Sequence, residues 1–143
     1  MRIVCFDIGI KRVGIAATDK IQVIIQPIAV VEYKTHKELI EKVKNIVNWN
    51  EVEKIVVGLP LDDEGNETPQ CVKIRNIANF LKKRLPKNIK WIYYPEILSS
   101  YEMEEKLIGF DISRKKRKKI LDKLAAYEIL KRYINSLEEG REG

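Results

Sequence analysis

Hydrophobic and polar positions follow two different periods along the chain. Near-continuous apolar runs at residues 1–9 and 54–58 are typical of strands that are buried on both faces of a sheet. Three further β-rich runs complete the pattern, so the predicted strands cover residues 1–9, 13–18, 21–32, 54–58 and 90–96. Short turns join the first three strands, which predicts an antiparallel meander. Pro27 in the third run indicates an edge strand or a bulge.

Helical spacing of apolar residues appears after the meander. Thr35 and Glu38 form a capping box at the start of the first helix, and Ser99 and Glu102 form another before a short helix that Gly109 closes. Apolar residues repeat at helical spacing in the first helix at Leu39, Ile40, Val43, Ile46 and Val47. Two other helices are predicted. One covers about 71–81, before Pro86, and the other runs from residue 113 or 114 to 137. Residues 138–143 are expected to fray.

The order of elements is therefore β-β-β-α-β-α-β-α-α. This order predicts one α/β domain over residues 1–143, with helices on the faces of a mixed sheet. A helix precedes the fourth strand, so that strand should run parallel to the first. The polar, turn-rich segment 61–69 is expected to be a mobile loop.

Composition narrows the class of protein. Hydrophobic residues make up 45% of the 143 residues, enough for a packed core. No apolar run approaches the ~20 residues of a membrane span, so we expect no membrane segment, no signal peptide and a cytoplasmic protein. Cys5 and Cys71 lack metal-type spacing and are interpreted as reduced, buried thiols.

The charge distribution indicates a polyanionic partner. The formal net charge is +6, and residues 114–119 are six consecutive Arg or Lys residues. A solvated helix end is the alternative for this run, but a phosphate-binding surface is the better interpretation. Lys11 and Arg12 add a short basic turn after the first strand. The acidic run 62–64 is interpreted as solvated, although its carboxylates could recruit a metal.

Three acids could meet in the predicted fold. Asp7 and Glu96 each end a strand, where α/β sheets place their ligands, although Asp7 alone could equally be a turn cap. Asp122 lies four residues before Ala126 and seven before Ile129, so it shares the apolar face of the last helix. A buried Lys or Arg could satisfy Asp122, and so could a divalent metal held jointly by all three acids.

The chemistry of this set favours a hard metal ion. Three clustered carboxylates repel one another unless a cation is present, and oxygen ligands suit Mg²⁺ or Mn²⁺. Two such ions, ~4 Å apart, would support phosphodiester cleavage. No Ser–His or Cys–His arrangement and no phosphate-binding glycine loop competes with this interpretation, and His36 is expected in an exposed first turn without a catalytic role.

Several motifs resemble those of one known family over nearly the whole chain. The hairpin at 6–16 with Asp19, the segment 57–60, and the stretches 113–118 and 122–126 are similar to the YqgF family, also called the RuvX or Holliday-junction-resolvase-like family. The resemblance implies an RNase H-like fold with a five-stranded sheet of order 3-2-1-4-5, three strands antiparallel and two parallel. It also implies a metal-dependent nuclease site at Asp7, Glu96 and Asp122.

The resemblance leads to three functional hypotheses. The first is an endonuclease on structured RNA that processes the 5′ end of pre-16S rRNA, as a monomer or weak homodimer. Its phosphate-binding residues would be Lys11, Arg12, Arg114, Lys115, Lys116, Arg117 and Lys118. The second is a resolvase of branched DNA, and the third is a nucleic-acid-binding protein with weak or no cleavage. The third arises because Pro95 and Ile97 replace the Asp and Arg that usually flank the family's Glu.

Overall fold

The computed structural model describes residues 1–96 and 114–142, and it describes side chains throughout these ranges except at 114–120, 122, 123, 141 and 142. The strands are β1 (Arg2–Ile8), β2 (Arg12–Thr18), β3 (Ile25–Glu32), β4 (Val52–Pro60) and β5 (Lys90–Glu96). The helices in these ranges are α1 (His36–Val43), α2 (Pro69–Lys82) and α3 (Arg114–Glu142), and a 3₁₀ turn spans Trp49–Glu51. The short helix predicted at 99–109 lies outside the described residues.

The five strands form one mixed sheet with the order β3-β2-β1-β4-β5. β1 and β3 pair antiparallel with β2, whereas β4 runs parallel to β1 and β5 runs parallel to β4. The predicted order and strand directions are therefore confirmed. The central position of β1 explains its apolar run, because Ile3, Val4, Cys5 and Phe6 are at most 1% exposed.

Alternation along β1 separates the two faces of the sheet. Val4, Phe6 and Ile8 belong to the core cluster that packs against α1 and α2. Ile3 and Cys5 belong to the other cluster, together with Ala126 and Ile129 of α3. Asp7 follows Cys5 in this alternation and is half-buried.

Local hydrogen bonds explain how α1 begins and ends. The Thr35 hydroxyl accepts a hydrogen bond from the Glu38 N–H at 3.1 Å, and the Glu38 carboxylate accepts one from the Lys34 N–H at 3.0 Å. Thr35 is thus confirmed as the N-cap, and Glu38 reaches back as predicted, although to the N–H of Lys34 rather than to that of Thr35. The helix ends at Val43 rather than near Val47. The Trp49 indole N–H donates to the Val43 carbonyl at 3.0 Å and satisfies a carbonyl at the end of the helix.

Two further predicted boundaries are wrong. β3 begins at Ile25 rather than Ile21, because the Asp19 carboxylate accepts hydrogen bonds from the Val23 and Ile24 N–H groups and holds these residues in a turn. α3 continues to Glu142 rather than ending at Leu137, since its last residues include several good helix formers. Fraying of the tail stays a prediction. Pro27 does lie on an edge strand, beside an irregularity in the β2–β3 register.

Among the described residues, no helix is both long enough and apolar enough to cross a membrane. α3 is the longest of these helices, but it is rich in charged residues.

Candidate active site

Asp7 and Glu96 lie at the same edge of the sheet, where the parallel strands β1, β4 and β5 end. Asp7 is the last residue but one of β1, and Glu96 is the last residue of β5. The Glu96 side chain is only 13% exposed. Because carboxylates are costly to bury without compensating charges or hydrogen bonds, both acids require polar or cationic neighbours.

Gly58 lies beside Glu96 and against helix α3. It lies on β4, the strand between β1 and β5, and it pairs with Tyr94 of β5. A Cβ atom at Gly58 would stand 3.7 Å from Oε2 of Glu96 and 2.6 Å from Cδ1 of Ile129. The missing side chain therefore allows Ile129 of helix α3 to approach β4 closely beside the Glu96 carboxylate.

The thiol of Cys5 lies within the electrostatic influence of both carboxylates. Its thiol is fully buried beneath the site, and burial raises the pKa of Cys5 well above its usual value. The negative charges of Asp7 and Glu96 raise this pKa further, so both carboxylates are close enough to act on one sulfur atom. Cys5 is a neutral, packed thiol, as predicted for a core cysteine, and both Cys5 and Cys71 are free and buried.

Arg132 is a charged neighbour of this site that the sequence interpretation missed. Its Nη1 atom lies 3.6 Å from Oε1 of Glu96, and its side chain is 43% exposed. Arg132 follows Ile129 by three residues, which places it at the rim of the buried face of α3. A basic residue at the rim of this face was the signal in the sequence that could have indicated Arg132. Its guanidinium offsets part of the repulsion between two neighbouring carboxylates.

Asp122 is the third acid that the sequence assigned to the site. The structure places its backbone in α3, four residues before Ala126, which packs in the same cluster as Cys5. Its side chain lies outside the described part of the chain, so its participation stays a prediction. Among the side chains that the structure does describe, no group of three potential metal ligands forms.

Pro95 does not displace Glu96 from the end of its strand. Pro95 pairs with Leu59, and Glu96 pairs with Pro60 in the same unbroken parallel register. β5 is an edge strand of the described sheet, where a proline is tolerated because its missing N–H removes no hydrogen bond from a central ladder. The Leu61 N–H donates to the Glu96 carbonyl at 2.9 Å and fixes the backbone at this point.

The donor set fits a hard divalent cation. The two candidate ligands are both carboxylates, and the nearby thiol is held neutral by burial and by their charges. Oxygen donors of this kind suit Mg²⁺ or Mn²⁺ better than softer metals. The pair Asp7 and Glu96, with Asp122 as the expected third ligand, could therefore hold such an ion.

Comparison with known proteins identifies the family. The family model for RuvX, described as a Holliday junction resolvase, matches residues 1–136. The chain belongs to this family. The resemblance stated from its motifs is thereby confirmed.

Three relatives match the chain over almost their whole length, and each carries the name "Putative pre-16S rRNA nuclease". The protein of Halothermothrix orenii is 41% identical over 135 residues, which cover 94% of this chain and 95% of the relative. That of Carboxydothermus hydrogenoformans is 36% identical over 135 residues, with 94% and 96% covered. That of Desulforudis audaxviator is 35% identical over 141 residues, with 99% of both chains covered.

Solved structures agree with the fold of this RuvX-family chain. The fowlpox virus Holliday junction resolvase is 18% identical, with a TM-score of 0.56 over 96% of this chain and 99% of that chain. The same resolvase in complex with Holliday junction DNA is 17% identical, with a TM-score of 0.52 and the same coverage. At these identities the likeness concerns the fold alone, and the predicted RNase H-like fold is confirmed.

The predicted phosphate-binding residues of this RuvX-family chain occupy two elements. Lys11 lies in the β1–β2 turn and is exposed. Arg12 follows it as the first residue of β2 and is half-buried. Residues 114–118 form the start of α3, and their side chains lie outside the described part. The role of all these residues in binding nucleic acid stays a prediction.

Hydrogen bonds tie the basic turn to the strand that carries Asp7. The Gly9 N–H donates to the Arg12 carbonyl at 2.8 Å, and the Tyr33 hydroxyl donates to the Gly9 carbonyl at 2.6 Å. The Tyr33 N–H also donates to the Lys11 carbonyl at 3.1 Å. A Cβ atom at Gly9 would stand 2.8 Å from the Arg12 carbonyl oxygen, so glycine is required for this close turn.

The acidic loop and His36 make local contacts in their own elements. The Asp62 carboxylate accepts hydrogen bonds from the Glu64 and Asn66 N–H groups, which closes an exposed turn. These bonds give Asp62 a local structural role, as expected for a solvated run; mobility of the loop stays a prediction. His36 is exposed in the first turn of α1, as predicted, and contacts the ring of Phe80.

Proposed function

We propose that this protein is a metal-dependent endonuclease that processes the 5′ end of pre-16S rRNA. The observation that carries the proposal is the placement of Asp7 and Glu96 at the carboxyl ends of β1 and β5, at the same edge of an RNase H-like sheet. The names of its relatives, which match nearly the whole chain at 35–41% identity, supply the substrate class. The protein would act in the bacterial cytoplasm, where ribosomes are assembled.

Asp7, Glu96 and Asp122 would hold Mg²⁺ or Mn²⁺. When bound, such an ion activates water and stabilises the charge that develops on the leaving oxygen. Two ions would stabilise both the attacking and the leaving oxygen. The carboxylates would orient the ion, and Arg132 pairs with Glu96 from the helix side. Helix α3 and the apolar residues around Cys5 would exclude bulk water from the floor of the site.

Basic residues would position the substrate. Lys11 and Arg12 belong to a turn that is hydrogen-bonded to the strand of Asp7, so phosphates bound there would be held in a fixed relation to that carboxylate. Residues 114–118 would add a second group of cations at the start of α3. Contacts of this kind fix the register of a nucleic acid without reading its sequence.

Resolution of four-way DNA junctions is the second candidate function. The family description and the solved resolvase complex favour it, because both name Holliday junctions. A resolvase must cut two strands related by two-fold symmetry, so this function would require a stable dimer rather than a monomer or weak homodimer. Binding without cleavage is the remaining candidate, and Pro95 and Ile97 beside Glu96 favour it.

The decisive experiment compares substrates directly. The purified protein is incubated with pre-16S rRNA 5′ ends and with four-way DNA junctions, with Mg²⁺, with Mn²⁺ and with chelator. We expect metal-dependent cleavage of the RNA by the wild type and at least a 100-fold loss of rate, about 2.7 kcal/mol, in Asp7→Asn. Cleavage of the junction alone would favour the resolvase, and binding of both substrates without cleavage would leave only the binding function.

A further inference from the structure

A basic groove lies between the β1–β2 turn and the start of helix α1. It has a volume of about 740 Å³ and is open to solvent. Glu32 ends β3, which runs in the same direction as β1, so the groove lies at the same edge of the sheet as Asp7. Its lining residues are Ile10, Lys11, Arg12, Glu32, Tyr33, Lys34, Glu38 and Lys42.

The groove has an excess of positive charge. Four cationic and two acidic side chains line it, which gives a formal net charge of +2. The Glu38 carboxylate is already engaged, because it pairs with Lys42 Nζ at 2.9 Å and accepts a hydrogen bond from the Lys34 N–H. Lys42 is therefore paired with Glu38, whereas Lys11 and Lys34 carry exposed side chains, and the charge of Lys34 also contributes to the lowered pKa of Glu38.

The wall of the groove is rigidly joined to the candidate metal site. Tyr33, at the base of the groove, donates hydrogen bonds to the Gly9 and Lys11 carbonyls. Its side chain is buried, so it supports the wall and is not available to stack on a base. The described lining of the groove therefore offers cations on a hydrogen-bonded backbone and no exposed aromatic platform, an arrangement that suits phosphates rather than bases.

We propose that this groove binds the phosphodiester backbone of the substrate on one side of the bond that is cleaved. The inference rests on the proposed function for the position of that bond, which lies at Asp7. It adds Lys34 to the substrate contacts and extends the nucleic-acid path past the β1–β2 turn to α1. The occupant is a polyanionic strand, because Lys and Arg side chains bind its phosphates. Such binding does not depend on the base sequence.

The test measures how binding depends on salt, with chelator present so that cleavage plays no part. In Lys11→Gln/Lys34→Gln, the slope of log K against log[salt] should fall in magnitude by about 1.4 on single-stranded RNA, at ~0.7 for each lost phosphate contact. Lys34→Gln alone should account for about half of this. Both side chains are exposed, and an unchanged melting temperature would verify the fold.

The matched control is Lys83→Gln/Lys87→Gln. It removes the same charge from another groove, of about 310 Å³, which lies beside the amino end of β5 and thus at the opposite edge of the sheet. We expect its slope to match the wild type. A slope in Lys11→Gln/Lys34→Gln that falls no further than in this control would overturn the proposal.

Substrate length gives a second readout. Removing nucleotides on the side of the cleaved bond that occupies the groove should abolish the difference between wild type and Lys34→Gln. The same assay with RNA 5′ ends and with four-way junctions shows which polyanion uses the groove. If the slope falls in Lys11→Gln/Lys34→Gln but the wild type cleaves neither substrate, the groove binds nucleic acid and the proposed nuclease function is wrong. If the wild type shows metal-dependent cleavage but the slope is unchanged, the proposed function is supported and the groove proposal is wrong.

Discussion

A Cβ atom at Gly58 would lie 2.6 Å from Cδ1 of Ile129, closer than side-chain carbons approach in folded proteins. Ile129 is only 1% exposed and belongs to the cluster that joins α3 to the sheet. The same Cβ atom would stand 3.7 Å from Oε2 of Glu96. The missing side chain thus permits the packing of Ile129 and α3, whereas a Cβ atom would only reach ordinary contact distance from the candidate metal ligand Glu96.

Gly58→Ala is therefore expected to destabilise the protein. The added methyl group would overpack a buried contact, which typically costs about 1–3 kcal/mol of unfolding free energy. Chemical denaturation measures this change. The displaced Ile129 should also disturb Glu96, so the affinity for Mn²⁺ should fall in the same variant.

Gly140→Ala is the matched control for this substitution. A Cβ atom at Gly140 would have no neighbour within 4 Å, and the residue lies in helix α3. Alanine favours helix over glycine by up to about 1 kcal/mol, so the unfolding free energy should stay equal or rise. Equal destabilisation by both substitutions would contradict the steric explanation for Gly58.

Arg132 is expected to compete with a metal ion for Glu96. Its guanidinium lies 3.6 Å from that carboxylate and is partly exposed, and an ion pair of this kind is worth up to about 1 kcal/mol. In Arg132→Gln the apo protein loses this counter-charge, so Mn²⁺ should bind up to about fivefold more tightly. The increase in melting temperature that Mn²⁺ produces should grow accordingly.

Lys131→Gln removes the same charge from the neighbouring position and tests whether charge alone explains the effect. Lys131 lines a different cleft, with Gln22, Val23 and Tyr127. We expect the response to Mn²⁺ in this variant to match the wild type. An Arg132→Gln variant whose response to Mn²⁺ also matches the wild type would disprove the competition.

Glu38 should make the start of α1 sensitive to acid. The hydrogen bond from the Lys42 side chain, followed by that from the Lys34 N–H, lowers the pKa of Glu38 below its usual value. A folded-state pKa below the unfolded value of about 4.3 stabilises the protein above that pH, and this stabilisation is lost as pH falls through the folded pKa. Protection of the α1 amide protons against hydrogen exchange, measured from pH 6 to pH 3, should fall in the wild type.

In Glu38→Gln, protection should be lower at pH 6 and should depend less on pH. Glu41→Gln, which removes an exposed carboxylate from the same helix, provides the comparison. If Glu38→Gln retains the full pH dependence of the wild type, the capping interaction is not its origin.

Much of the fold could be predicted from the sequence because its local signals agree with the tertiary structure. The apolar run of β1 lies at the centre of the sheet, and Thr35 caps α1 as its spacing with Glu38 indicates. The start of β3 could not be predicted in this way. Residues 21–24 have a β-like composition, but the Asp19 carboxylate holds them in a turn, and Gln22 takes a positive φ of 61°.

The candidate site was only partly accessible to sequence reasoning. Acids at strand ends could be found from strand periodicity alone, which gave Asp7 and Glu96. Arg132 could not be found with the same certainty, because its relation to Glu96 depends on how α3 crosses β5. The role of Gly58 likewise depends on a contact with Ile129, which lies 71 residues further along the chain.

The central claim is that Asp7, Glu96 and Asp122 form one metal site. Titration of Mn²⁺ into the wild type and Asp122→Asn, followed by electron paramagnetic resonance of the free ion, tests it most directly. The control is Glu128→Gln, which removes a carboxylate from another position of α3. We predict that Asp122→Asn binds Mn²⁺ at least tenfold more weakly, about 1.4 kcal/mol, and that Glu128→Gln binds it like the wild type. Equal affinity in Asp122→Asn and the wild type would contradict the claim.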